Sequence, residues 1–242
     1  MIELKAIAIV IAVMIDRWVQ YIPGGKIILQ WRSINWLSVY VDKGMSLIAN
    51  TGVTQGYLII AALFAPLVLA LLLLQLILVL LFGGIGKLLF VTLPLLYFLG
   101  NREIEGNESE FIVAHESSFG ILFWFALLGP IGALMYWFIV ALQKTNVTNN
   151  QEVYKAFNFL HALAAWIPAR ITGFIYALVG NFTAGFNCWL TRMRIPTMQS
   201  SQLIQDCGEA SVDASIIDDD KNLVTRAFIA WVVISILIVI CK

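Results

Sequence analysis

Residues 57–82 read YLIIAALFAPLVLALLLLQLILVLLF, twenty-six positions without a charge. As an α-helix this stretch is about 39 Å long, more than the roughly 30 Å hydrocarbon core of a bilayer. It therefore spans a membrane with tilt. Gly83-Gly84-Ile85-Gly86 interrupts it, and residues 88–99 resume the apolar run with Lys87 placed to snorkel at their start. The two stretches predict a helical hairpin.

Composition agrees with this reading along the whole chain. Of 242 residues, 60% are hydrophobic and 12% charged, about half the charge that coats an ordinary soluble domain. The expected fold is all-α: a multi-pass transmembrane bundle of about 4–6 membrane helices, forming a single integral membrane domain over 1–242. Fifteen Lys and Arg balance fifteen Asp and Glu, leaving no basic excess for nucleic acid. Two histidines and three scattered cysteines, Cys188, Cys207 and Cys241, cannot build the usual zinc or iron–sulfur sites. Their odd number and wide spacing argue against a disulfide framework. No metal and no cofactor are implied.

Four further apolar segments surround the hairpin. Residues 6–15 precede Asp16-Arg17 and read as a retained first helix, with Asp16 in its last turns. Residues 117–143 read as one span bent at Gly129-Pro130. Residues 156–180 are membrane-like but carry His161, Pro168 and Arg170, and residues 227–241 form the last helix. Polar loops are expected near 17–56, 101–117, 143–155 and 181–225. Within the first, 27–41 sets Arg32 among Trp31, Trp36 and Tyr40, with Lys26 and Lys43 on its flanks, as suits an amphipathic helix on the membrane surface; a loop with a short core helix fits equally well. No internal repeat is evident. If every apolar segment crosses, Arg17, Lys26, Arg32, Lys43, Arg102, Arg192, Arg194, Lys221 and Arg226 face Lys5, Lys87, Lys144, Lys155 and Lys242. The richer side is then cytoplasmic.

Polar residues at membrane depth are the candidates for function. A charged side chain near the bilayer centre costs at least ~2.5–3.5 kcal/mol and normally has a partner. Arg170 can grip a carboxylate or phosphate with two parallel hydrogen bonds, or snorkel and brace its neighbours. Pro168 bends the same helix and frees a carbonyl. His161 lies nine residues earlier, about half a turn round. Glu152 shares the Arg170 face but is about 27 Å away along the axis. The acid for Arg170 is therefore expected from another helix, with Asp16 or Glu116 favoured. Arg170, Pro168, Asp16 and Glu116 make up the expected binding site, for an anionic small molecule beside the lipid bilayer. His115 and His161 are expected as hydrogen-bonded packing residues, not haem ligands. The acids between Glu103 and Glu110 read as a solvated loop, and Gly83–Lys87 lacks the strand, spacing and hydroxyl of a phosphate loop. The chain names no protein partner.

The run Ala165-Trp166-Ile167-Pro168-Ala169-Arg170-Ile171-Thr172-Gly173 through Tyr176-Ala177-Leu178-Val179-Gly180 resembles the corresponding stretch of the AmpE family. Those are bacterial inner-membrane proteins linked to β-lactamase induction and cell-wall recycling. AmpE is similar in turn to the CobD/CbiB family of cobalamin biosynthesis, which shares a Pro-Ala-Arg-Leu-Thr run. Asp16-Arg17 resembles the acid–Arg pair after the first helix of AmpE. Leu122-Phe123-Trp124 before Gly129-Pro130 resembles a helix of both branches. The resemblance implies a regulatory membrane protein. It also implies an alternative, an ATP-dependent enzyme joining an aminopropanol-type group to a corrinoid acid, and a structural or transport subunit is a third possibility. Where the CobD/CbiB branch has an Asp-rich segment, His161-Ala162 and Ala165 stand here. An enzyme that activates a carboxylate with ATP needs acids to hold magnesium against phosphate, so these departures point away from the ligase.

Overall fold

A computed structural model describes residues 2–19, 35–49, 55–100, 109–142, 151–193, 199–213 and 219–241. All regular elements among them are helices: α1 (Ile2–Val19), α2 (Asn35–Ala49), α3 (Gly56–Phe98), α4 (Glu110–Leu128), α5 (Pro130–Leu142), α6 (Gln151–Val179), α7 (Phe182–Met193), α8 (Ser200–Ser211) and α9 (Asp219–Ile240). Four of them, α3, α4, α6 and α9, are long and apolar enough to cross a membrane. The chain is a multi-pass helical membrane protein.

The hairpin read from 57–99 is present. Helix α3 breaks at Gly83, whose φ of 56° and ψ of −123° only glycine adopts at little cost. A Cβ on Gly86 would collide with the carbonyl of Leu78. Residues eight apart in a straight helix are separated by about 12 Å, so the chain doubles back here. The two arms meet α2 together: Tyr40 Oη donates to the Leu63 carbonyl, and Trp36 Nε1 donates to Tyr97 Oη.

The second hairpin was expected as a single bent span. At Gly129 (φ 72°, ψ −152°) the chain reverses, and α5 runs back along α4. Gly132 lies against the Trp124 carbonyl and Gly120 against the Tyr136 ring; neither site has room for a Cβ. Both reversals use the same four-residue pattern, Gly83-Gly84-Ile85-Gly86 and Gly129-Pro130-Ile131-Gly132. The first glycine takes the left-handed turn, and the second lets the returning helix press on backbone. The repeat is four residues long, far below the periods of repeat folds.

The two hairpins face different surroundings. Only 11% of the most apolar stretch of α3 is buried inside the protein, against 67% for α4. Leu69, Leu72, Leu73, Leu76, Ile77, Leu80 and Leu81 all point outward, an apolar exterior that only lipid or another apolar surface can cover. Helix α4 is instead the hub of the core. Phe119 stacks on Trp231 of α9, Phe123 meets the same indole edge-on, and Phe111 meets Tyr176 of α6. Arg17 lies 4.4 Å over the Phe228 ring and ties α1 to α9.

Several boundaries differ from the sequence reading. Much of the expected loops is helix: α2 lies within 17–56, and α7, α8 and the first turns of α9 lie within 181–225. Of the expected interfacial segment 27–41, residues 27–34 lie outside the described residues, while 36–41 pack through buried Leu37 and Val41. The tally of basic residues also loses its premise. Gly56 packs against the backbone of Glu152 and Val153, so the end of segment 17–56 sits beside a segment placed on the opposite side.

Candidate functional site

Helices α4 and α6 run antiparallel: the Phe111 carbonyl meets the Tyr176 hydroxyl, His115 meets Thr172, and Trp124 meets Ala164. Each helix carries an irregularity at the crossing. In α4, residues His115–Phe119 form a π-helical turn, with the Gly120 N–H bonded back to the His115 carbonyl five residues earlier. Such a turn inserts one residue into the helix and re-aims the side chains around it. In α6, Pro168 has no N–H to give the carbonyl of Ala164, four residues before it. Trp124 Nε1 supplies that missing donor at 2.9 Å. The Leu122-Phe123-Trp124 and Pro168 signatures are thus two halves of one contact.

Between the irregularities lies a buried polar centre. Thr172 is fully buried, and its hydroxyl has three neighbours: the Pro168 carbonyl at 2.8 Å, Trp231 Nε1 at 3.1 Å and His115 Nδ1 at 3.0 Å. A hydroxyl has one hydrogen and two lone pairs. The hydroxyl donates to the Pro168 carbonyl and accepts from the Trp231 indole, and the His115 imidazole completes the set. His115 thus meets the hydroxyl through Nδ1, and Nε2 is its other ring nitrogen. That Nε2 is buried and has no hydrogen-bond partner among the described residues. The next residue, Glu116, is also buried and places Oε1 3.6 Å from His161 Nε2 of α6. The His161 ring stacks on Phe157 one turn earlier, and His115 meets Tyr136 of α5 edge-on.

The expected site is divided by this arrangement. Pro168 and Glu116 come together at the α4–α6 crossing. Arg170 faces away, because two residues on a helix turn the side chain about 200° from Thr172. Its Nη1 donates to the Trp166 carbonyl at 3.0 Å, and its guanidinium lies 4.3 Å over the Trp166 ring. The Arg170 carbonyl accepts from Trp189 Nε1 of α7. No acid lies within ion-pair reach of Arg170 among the described residues. The expected pairing with Asp16 or Glu116 is therefore corrected: Glu116 pairs with His161, and Asp16 is buried in α1. Helical spacing put His161 and Arg170 on opposite faces but not which one faced α4. Thr172 and Trp124 stand in the runs that carry the resemblance but were given no role there, and Trp231 was missed. A Thr four residues after a proline is the signal that marks the first, since its hydroxyl can take up the carbonyl beside the kink. Among the described residues, no three His, Cys, Asp or Glu side chains gather as a metal site.

No protein-family model matches the chain, and no solved structure does. Over 94 residues it is 31% identical to the protein named Cobalamin biosynthesis protein CobD of Chromobacterium violaceum. That match takes in 35% of this chain and 28% of the relative, less than a third of its length. It supports a distant relation to the CobD/CbiB side of the resemblance and does not bear on AmpE.

Proposed function

We propose that this chain is a regulatory protein of the AmpE type in a bacterial inner membrane, linking cell-wall damage to β-lactamase induction. The observation that carries this reading is the Glu116–His161 pair, set between a π-helical turn and a proline kink. Ionisable groups at membrane depth are costly to keep and usually serve a function. We take this pair, which joins two helices with an irregularity in each at the joint, as a two-state element. Making or breaking the pair biases how α4 packs on α6, and a signal needs such an element. Among the described residues the centre holds one carboxylate, Glu116, while the cation Arg170 lies outside it; ATP chemistry would call for several acids and a cation converging on phosphates.

The second reading is amide formation of the CobD type, favoured by the 31% identity to a cobalamin biosynthesis protein. One experiment separates the two. A strain lacking the gene is tested for β-lactamase induction and for cobalamin-dependent growth. Altered induction with normal growth is the expected result. Lost cobalamin-dependent growth with unchanged induction, together with ATP-dependent corrinoid amide formation by the purified protein, would replace the regulatory reading with the enzymatic one.

A further inference from the structure

Helices α7 and α8 lie outside the polar centre and form a seam of three matched levels. At one end Gly185 faces Ser211; a Cβ there would collide with Ser211 Oγ and press on Ala177 of α6. At the other end Arg192 Nη2 pairs with Asp206 Oδ2 at 2.6 Å. The numbering rises along one helix as it falls along the other, so the helices are antiparallel. The glycine brings the backbones close, and the ion pair sets their register. Between these levels, Cys188 Sγ and Cys207 Sγ stand 3.6 Å apart. Cys207 is buried and Cys188 half-buried, while Cys241 lies exposed at the end of α9.

We propose that Cys188 and Cys207 are a redox-active pair that closes into an intrachain disulfide, stapling α7 to α8. A disulfide needs sulfurs about 2.05 Å apart, so closure from 3.6 Å brings them together by roughly 1.5 Å. The exchange partner is a small disulfide. Cys188, the accessible thiol, attacks one of its sulfurs as a thiolate, forms a mixed disulfide and expels one thiolate. Cys207 then gives up its proton and attacks the Cys188 sulfur, which expels the second thiolate. Two protein thiols lose two electrons, the small disulfide gains them, and the two protons end on the two thiols released. The order follows from access and charge. Burial holds the Cys207 thiol well above the usual range, Cys188 and Asp206 add to that shift, and Arg192 opposes it. In a reducing compartment the pair stays open until an oxidant arrives.

The staple sits beside the polar centre. The Gly173 backbone, next to Thr172, is covered by Leu203, Trp189 and the Cys207 sulfur. Closing the disulfide draws that sulfur toward Cys188 and fixes both covering helices over α6. The alternative is two thiols packed as small apolar groups with no exchange chemistry, and mass measurement separates them. The full-length chain carrying Cys241→Ser, folded in detergent, is treated with oxidised glutathione. The expected product has lost about 2 Da, the two hydrogens of the thiols, carries no adduct, and regains them in dithiothreitol. Cys207→Ser in the same background should trap a glutathione adduct at Cys188, and Cys188→Ser should stay unmodified while folded. The melting temperature should rise on oxidation only where both cysteines are present. An unchanged mass, or stable adducts on both cysteines, would overturn the pair. Adduct formation as fast in Cys188→Ser as in Cys207→Ser would overturn the assigned order.

Discussion

The contact between Trp124 and the Pro168 kink makes a quantitative prediction. Trp124→Phe keeps an aromatic ring but removes the indole N–H that satisfies the Ala164 carbonyl at 2.9 Å. Leaving a buried acceptor without a donor costs about 1–3 kcal/mol, while hydrogen bonds between membrane helices average nearer ~0.6 kcal/mol and reach about 1.7. The expected loss is therefore about 1–2 kcal/mol. The cause can be isolated by adding Pro168→Ala. Alanine restores an N–H at position 168, and the Ala164 carbonyl regains its bond within α6. In that background Trp124→Phe should cost only its packing, so a coupling energy of about 1 kcal/mol is expected between the two sites. The assay is reversible unfolding of the purified protein in mixed micelles, with the four proteins of the cycle compared by midpoint and slope. Strict additivity of the two substitutions would refute the account of the kink.

Thr172→Val should destabilise by about 2–3 kcal/mol in the same assay, because His115 Nδ1 and Trp231 Nε1 both lose their hydrogen-bond partner; Thr172→Ser should recover most of the loss. His161→Ala removes a partner of buried Glu116 and should cost about 3–5 kcal/mol if the pair is ionised, whereas Glu116→Gln, which removes the charge as well, should cost clearly less. Arg170→Ala should cost under about 1 kcal/mol, since its contacts are with its own helix and its surroundings are open; a loss as large as that of His161→Ala would restore the buried ion pair expected from sequence. Gly132→Ala should lower the yield of folded protein and its melting temperature more than Ala133→Gly, because the new Cβ meets the Trp124 backbone, which cannot move aside as a flexible side chain can.

Much of the architecture is already decided along the chain. Hydrophobic length, the glycine breaks at Gly83 and Gly129, and the scarcity of charge determine a helical membrane protein, because bilayer thickness and backbone hydrogen bonding leave few other solutions. The special character of residues 165–180 is legible too, since a proline and a charge at membrane depth each need an explanation. Tertiary structure decides which groups meet. Helical periodicity separates His161 from Arg170 but cannot say which of them faces α4. That choice depends on the π-helical turn at His115–Phe119, which re-aims Glu116, and no residue in that turn announces it. Gly129-Pro130 reads from sequence as a bend within one span, and the turn at Gly129 with the packing of Gly132 on Trp124 makes it a reversal. Cys188 and Cys207 lie nineteen positions apart and become neighbours because Gly185 and the Arg192–Asp206 pair set the approach and register of two helices. Local sequence carries period and length, whereas side-chain partnership is a long-range property that exists only once the helices have docked.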